Sequence, residues 1–576
     1  MVVTIPVAYF VYALVLVPLR RLHDAPDNAS RTSSDSSSST PLGGQQLACP
    51  AQLDLSYKGT LNALGVFGAS WVAALSQLEA EATAEWIKSD ARVLVLGQQG
   101  YVKRDLPVYK YAFESQSFQL LSRPPSGLVN LAQLSTLEYD ALLCLSFNTD
   151  HCLSSDGDFD LLSPGRKINR LLNLRDVIWS KHKFCETVSQ AFQNLADKEL
   201  RSATFPCWVM PESYEKMLKQ SERDEIERWI SKPRSLGAGM GITIIDNLEE
   251  LAREKHSTHV VQAYMTDPHL LKALDGGLHK WDARTYVLVT SAVPLRAYVY
   301  SRGLVRLATS PYSTDCKSHN QTACLTNTSI NKKVEGASSH KLKDITWSFH
   351  HLEKYFAQED SGGLEYSEMF SKMSLAIGTV LLSAESNFYK SWGDTFKCEN
   401  CYQLLGVDVI FDSSGGARIV EVNGEPSMRL TSGASTHYDV TKKSMAKDLV
   451  GLTYCRESGA SDLEAALRRL SSCAGGKPYV NKRDVKYALS MFRERKQMGG
   501  FKPVYPHPDW HYKYRILLDH FKTRRLGFHS DGARLKTHDL IGALLGVVDK
   551  KADAAEKQRL SLAQGGMDDD DAHGDD

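Results

Sequence analysis

Leu405-Gly406-Val407-Asp408-Val409-Ile410-Phe411-Asp412 and, beyond Ser413-Ser414-Gly415-Gly416, Ile419-Val420-Glu421-Val422-Asn423-Gly424-Glu425-Pro426 read as two apolar strands joined by a glycine turn. Side chains alternate along a strand, so Glu421 and Asn423 share one face, and an antiparallel return sets Asp408 beside them. Glu421 between two valines would also suit a solvent-facing edge position. Asp408, however, sits in an apolar run, where an unpaired carboxylate is costly to bury. Three hard oxygen ligands suit Mg²⁺ carrying substrate phosphates, because magnesium prefers a few carboxylates plus phosphate oxygens to an all-protein cage. The pair of strands therefore reads as the floor of a nucleotide site.

Two clusters lie upstream. In Trp229-Ile230-Ser231-Lys232-Pro233-Arg234-Ser235-Leu236-Gly237-Ala238-Gly239-Met240-Gly241-Ile242, a strand ends in a lysine and is followed by a loop with three glycines. Such a backbone can fold over phosphates while Lys232 supplies a compact cation. The spacing is not that of a Walker loop, and a glycine run alone usually marks a tight turn. Val260-Val261-Gln262-Ala263-Tyr264-Met265 is a short apolar strand that could lie along an adenine. His279-Lys280-Trp281-Asp282-Ala283-Arg284 then places Lys280, Asp282 and Arg284 on one strand face. Alternating charges otherwise indicate a solvated face.

Taken in order, the run from about Asn169 to Lys443 resembles the tubulin-tyrosine ligase-like family, whose catalytic core belongs to the ATP-grasp superfamily. The matching pieces include Met210-Pro211-Glu212-Ser213-Tyr214, Lys232-Pro233, Gly239-Met240-Gly241-Ile242, Lys280-Trp281-Asp282-Ala283-Arg284, Gly303-Leu304-Val305-Arg306, Leu325-Thr326-Asn327, and the Asp408 and Glu421 strands. The resemblance implies an α/β (α+β) fold: an ATP-grasp core, a small N-terminal α/β domain and a helical, basic C-terminal extension. It implies ATP contacts from Lys183, Lys232, Gly239, Met240, Gly241, Ile242, Gln262, Ala263, Tyr264, Met265, Lys280, Asp282, Thr326 and Asn327. Lys183 is preferred to Lys181 as the earlier lysine of such enzymes. Asp408, Glu421 and Asn423 are the implied Mg²⁺ ligands. Arg284 is the implied receiver of the amino acid or acceptor carboxylate, with Lys332, Lys442 and Lys443 as further candidates. Lys232, Arg284 and Glu421 then carry catalysis. The chain departs from the family at Met240, where a basic residue is usual, at Cys324, where relatives have histidine, and at the Gly424-Glu425 insert.

The implied chemistry activates an acceptor carboxylate as an acyl phosphate, which an amino-acid amine then displaces; the phosphate supplies the leaving group a bare carboxylate lacks. The expected acceptor is tubulin, on the acidic tails of microtubules, and L-glutamate is the leading donor ahead of tyrosine or glycine. A catalytically silent microtubule-binding relative and a ligase of a non-tubulin carboxylate are the alternatives. The enzyme is expected to act as a monomer, without nucleic acid, in the cytoplasm on the microtubule cytoskeleton or cilium.

Composition agrees with an intracellular enzyme: 576 residues, 42% hydrophobic, with equal numbers of acidic and basic residues. Charge is nonetheless uneven, with 17 Lys and Arg against 7 Asp and Glu between Lys477 and Lys551. Val485, Leu489 and Phe492 at helical spacing predict an amphipathic helix over Lys482 to Lys496. Its basic face either attracts an acidic polymer or simply packs on the core. Eleven scattered cysteines favour reduced thiols. Asp156, Asp158 and Asp160 begin like a calcium loop, but the pattern fails at Leu161 and Lys167.

Residues 2–19 form an uncharged apolar run before Arg20-Arg21, which reads as a membrane signal anchor with the remainder in the cytosol, as an unstructured leader or, least favoured for want of a basic start, as a cleaved secretory signal. The expected divisions are 1–22 (transmembrane or anchor segment), 23–60 (Ser/Thr-rich disordered linker), 61–165 (N-terminal α/β), 166–310 (central ATP-grasp), 311–455 (C-terminal ATP-grasp), 456–551 (basic helical extension) and 552–576 (disordered acidic tail). A helix over Leu61 to Ile87 and a mobile loop over Ser310 to Ser339 are also expected.

Overall fold

A computed structural model of the chain describes residues 91–122, 139–146, 152, 166–237, 239–316, 320–326, 345–358, 364–392, 400–430, 437–454, 482–526, 534, 537, 538 and 541. The apolar run 2–19, the linker, the Leu61 to Ile87 helix, the aspartates 156–160, Asn327, Lys332, most of the 310–339 loop and the acidic tail lie outside these residues. All of the described residues fall within one packed unit, 49–576.

The first layer is a parallel sheet of four strands, β1 (Arg92–Gly97), β2 (Gln119–Ser122), β3 (Ala141–Leu145) and β4 (Lys167–Ile168), in the order β2-β1-β3-β4. β1 and β3 are continuous apolar runs, as strands covered on both faces require. The crossover between β1 and β2 is α1 (Gln99–Glu114), which buries Val108, Ala112 and Phe113.

A second sheet follows, antiparallel and in the order β5-β8-β6-β7: β5 (Cys207–Val209), β6 (Trp229–Pro233), β7 (Thr243–Ile245) and β8 (His259–Ala263). It is served by α2 (Lys181–Phe192), α3 (Lys198–Arg201), α4 (Tyr214–Arg223) and α5 (Leu248–Ala252). Trp208, Met217, Trp229, Leu251 and Val261 form its own small core. Two of these helices start on side-chain caps: Asp197 accepts from the Leu200 amide and Asn247 from the Glu250 amide.

The third sheet has eight strands: β9 (Leu270–Lys272), β10 (Leu278–Ala292), β11 (Leu295–Tyr300), β12 (Leu304–Leu307), β13 (Thr346–Ser348), β14 (Gln403–Phe411), β15 (Ala417–Asn423) and β16 (Phe501–Tyr505). Its spine is β10, which pairs with β12 through its first half, with β11 through its second, and with β14 along the opposite edge. The helices of this layer are α6 (Gln321–Cys324), α7 (Phe349–Gln358), α8 (Tyr366–Trp392), α9 (His437–Thr453), α10 (Lys482–Lys496) and α11 (His511–Thr523). At 1.5 Å per residue α8 is about 40 Å long. It buries Ile377, Leu381, Leu382 and Phe388, side chains whose burial contributes roughly 1.5–3 kcal/mol each. No helix among the described residues is long and apolar enough to cross a membrane.

Two expectations need correction, and a third stands open in the sequence. The third sheet begins at β9, so a division at residue 310 cuts through it; β10 finds its partner β14 more than a hundred residues later, a pairing local pattern cannot reveal. The C-terminal region is not an appended helical extension, because β16 hydrogen-bonds to β11 as the edge of the same sheet. The helix over Lys482–Lys496 forms as predicted, but its charges are drawn into packing: Glu494 receives Arg296, Tyr298 and Thr290, and Arg495 donates to the Pro506 carbonyl. Of the helix's last basic residues, Lys496 is the exposed one.

The cysteines are a further correction. Cys144–Cys152, Cys185–Cys207 and Cys316–Cys324 are joined, and Cys401 is also disulfide-bonded. Two of the pairs join cysteines eight residues apart, and the third joins α2 to β5, elements that meet only in the folded chain.

Candidate active site

A cleft of about 600 Å³ separates the four-stranded antiparallel sheet from the eight-stranded sheet. β6 and β8 supply one wall with Ile230, Lys232, Gln262 and Ala263. β10, β12, β14 and β15 supply the other with Lys280, Asp282, Arg306, Asp408 and Glu421. The glycine loop after β6 covers it with Gly239, Met240 and Ile242, and Trp179 and Lys181 close one end.

The β14–β15 hairpin forms as its sequence predicts. Gly415 adopts φ +76°, and Asp412 holds the turn by accepting from the amides of Ser414 and Gly416 at 3.1 and 2.7 Å. Asp408 then lies opposite Glu421, with Asn423 opposite Gly406, and the Asn423 amide donates to Glu421 Oε1 at 3.2 Å. A bulge follows Asp408, so the extra residue on β15 falls beyond the pair that matters. On the other edge of β14, Asp408 stands opposite Arg284, and one strand further Asp282 stands opposite Arg306.

This register produces a buried row of alternating charge. Arg284 donates to Asp408 through Nε and, at 2.9 Å, through Nη2. Arg306 reaches both acids, Asp282 at 2.6 Å and Asp408 at 3.0 Å. The Thr326 hydroxyl donates to Asp282. Burial alone would raise the Asp408 pKa, but Arg284 and Arg306 hold the carboxyl well below its usual range. Burial raises Asp282 in spite of Arg306, and burial with the repulsion of Asp408 raises Glu421.

Two buried cations face this row. Lys232 donates to Gln262 Oε1 at 2.7 Å, and desolvation lowers its pKa to about 8 despite Glu421. Lys280 lies 3.8 Å from the Tyr264 ring, and desolvation lowers it to about 7 despite Asp282. Tyr264 in turn donates to the Cys324 carbonyl at 2.9 Å, so the Cys316–Cys324 bond fixes the segment that carries Thr326 against the end of β8.

Most of the expected residues meet here: Lys232, Gly239, Met240, Ile242, Gln262, Ala263, Tyr264, Met265, Lys280, Asp282, Arg284, Thr326, Asp408, Glu421 and Asn423 all line the cleft. Gly241 sits in the same loop at φ +70°. Lys183 does not line it. Two residues along α2 turn a side chain by about 200°, and Lys183 points out to pair with Glu186, whereas Lys181 lines the cleft and donates to the Leu236 carbonyl. Lys442 donates to the Arg429 carbonyl and Lys443 lies over the Tyr111 ring, both outside the cleft lining. Arg284 is not a free cation awaiting a carboxylate; its guanidinium is committed to Asp408. Arg306 had no role in the sequence reading, although a lone arginine in the apolar strand Leu304–Leu307 was the available signal.

Among the described residues no three His, Cys, Asp or Glu side chains are grouped to hold a metal. The donor set is instead two mutually repelling carboxylates, Asp408 buried and Glu421 half-buried, and a carboxamide. That set fits Mg²⁺, which relieves the repulsion while taking its remaining oxygens from phosphates and water.

Two sheets gripping a cleft, with lysines on both walls and carboxylates on one, define the ATP-grasp class of α+β protein. Residues 175–455 match the model of the Tubulin-tyrosine ligase family. The chain is 33% identical over 262 residues to mouse (Mus musculus) "Probable tubulin polyglutamylase TTLL2", covering 43% of this chain and 44% of that protein. It is 28% identical over 285 residues to mouse "Tubulin monoglutamylase TTLL4", covering 48% and 22%. With mouse "Tubulin polyglutamylase TTLL13" the figures are 27% over 333 residues, 54% and 39%. The chain thus spans less than half the length of these curated relatives.

Proposed function

We propose that the chain is an ATP-dependent ligase that adds glutamate to carboxylates of tubulin tails through an acyl phosphate. The observation that carries the reading is the pairing of Asp408 with Glu421 on the floor of a cleft whose walls hold Lys232 and Lys280. Lys232 and Lys181 neutralise the triphosphate, Lys280 and Asp282 set its orientation, and β8 with Met265 flanks the base. Mg²⁺ on Asp408, Glu421 and Asn423 would neutralise charge that develops on the transferred phosphoryl group. Arg284 and Arg306 keep Asp408 ionised and shield the acceptor carboxylate from it. No side-chain nucleophile is needed, since the acceptor attacks phosphorus and the amino-acid amine attacks the acyl phosphate. A silent relative is disfavoured because Lys232 and the three metal-facing residues are all present. The names of the relatives support tubulin and glutamate. ATP and tubulin both place the reaction in the cytosol.

The test incubates the full-length protein with microtubules, ATP, Mg²⁺ and, separately, labelled glutamate, glycine or tyrosine. Glutamate entering tubulin is expected; label from another amino acid replaces the donor, and no label from any of them overturns the ligase reading.

The two lysines predict a pH dependence. Each is depressed by burial, so Lys280 and Lys232 lose their protons as pH rises through about 7 and 8 respectively. ATP affinity measured by calorimetry should therefore fall on the order of tenfold between pH 7 and pH 9. A flat profile would show that neither lysine meets the phosphates.

A further inference from the structure

On the far side of Phe205 from the nucleotide cleft lies a second cavity, of about 620 Å³, built from the end of α2, α3, β5, α4 and the start of β15. Five cations line it: Lys198 and Arg201 of α3, Lys216 and Arg223 of α4, and Arg418 of β15. Asp224 is the single acid of the lining, and it is held by Arg223 at 2.8 Å. Arg418 lies 5.4 Å above the Phe205 ring, with its nearest acid, Asp412, at 3.6 Å. None of these residues takes part in the chemistry assigned to the cleft.

From this arrangement we propose that the cavity is a docking groove for an acidic peptide segment. Like charges on three elements repel one another, and an anionic ligand relieves that repulsion. Lys216 and Arg223 are seven positions apart on one helix face, a span of about 10 Å. A single phosphate cannot reach both ends; an extended peptide at about 3.3 Å per residue places carboxylates three residues apart over the same distance. A nucleic-acid strand fits less well, because the lining aromatics, Phe192 and Phe205, are each only 8% exposed and offer bases no stacking surface. Phe205 also lines the nucleotide cleft, so a chain seated in the groove could continue into it. The inference rests on the reading of an acidic acceptor and adds where the acceptor is held away from the reacting carboxyl.

The experiment measures, by fluorescence anisotropy, binding of a dye-labelled ten-residue glutamate-rich peptide to the full-length protein without ATP. Lys198 and Lys216 are exposed, so reversing them should leave the fold intact. Lys198→Glu/Lys216→Glu is expected to weaken the peptide on the order of tenfold, with ATP affinity and Tm unchanged. Lys354→Glu, an exposed reversal on α7, should change nothing. Equal loss in that control, unchanged affinity in the double variant, or displacement of the peptide by a single-stranded oligonucleotide of the same charge overturns the groove. Glutamate incorporation is scored separately. If incorporation fails while the peptide still depends on Lys198 and Lys216, the ligase reading falls and the groove stands; the reverse result removes the groove alone.

Discussion

Glu421→Gln is expected to reduce glutamate incorporation by about a hundredfold or more while leaving microtubule binding intact. Glutamine keeps the size of the side chain and one acceptor oxygen for the Asn423 amide, but removes the charge. Glu421 is half-buried opposite Asp408 and balances Lys232 across the cleft, whereas the Asp408 charge is already taken by two arginines. The remaining floor would be Asp408, already neutralised by Arg284 and Arg306, with two carboxamides, a weak set for a hard divalent ion. Incorporation of labelled glutamate and co-sedimentation with microtubules, measured on the same preparation, separate the two properties. Unchanged turnover would rule out the magnesium assignment.

The largest stability effect is expected at the opposite end of the third layer. Glu385 of α8 and Arg534 are almost fully buried, and Arg534 Nε donates to the two carboxylate oxygens at 3.0 and 3.1 Å. Glu385 also accepts from the Leu295 amide at 2.7 Å, and Arg534 lies 5.0 Å from the Tyr505 ring. Arg534→Met leaves a buried carboxylate without its cation and should cost about 3–5 kcal/mol. Adding Glu385→Gln removes that orphan charge while keeping an acceptor for Leu295, so the double variant should recover much of the loss. Denaturant unfolding followed by tryptophan fluorescence measures both; a loss under about 1 kcal/mol in the single variant would mean the C-terminal residues do not brace β11 and β16.

The two halves of the molecule differ in how far they could be read beforehand. The β14–β15 hairpin was legible because every signal in it is local: alternation along each strand, a turn with Asp412 and Gly415, and a carboxylate where an apolar residue would otherwise stand. The α10 helix was legible for the same reason, from the spacing of Leu489 and Phe492. On α2 the expected lysine, Lys183, lies outside the cleft lining and Lys181 lies in it, because residue type cannot tell which side of a helix meets a cleft that other elements build.

Residue types and short-range periodicity were enough to indicate the strands of the hairpin that carries Asp408, Glu421 and Asn423, since a strand's facing pattern and a turn's chemistry are properties of a few neighbouring residues; the family resemblance came from the order of the motifs along the chain. The pairing of Arg284 and Arg306 with Asp408, the place of Lys181 in the cleft lining, the Cys185–Cys207 bond and the place of β16 at the sheet edge arose from contacts between distant segments. Such contacts depend on register and on loop closure over tens to hundreds of residues, and a local pattern carries no record of either.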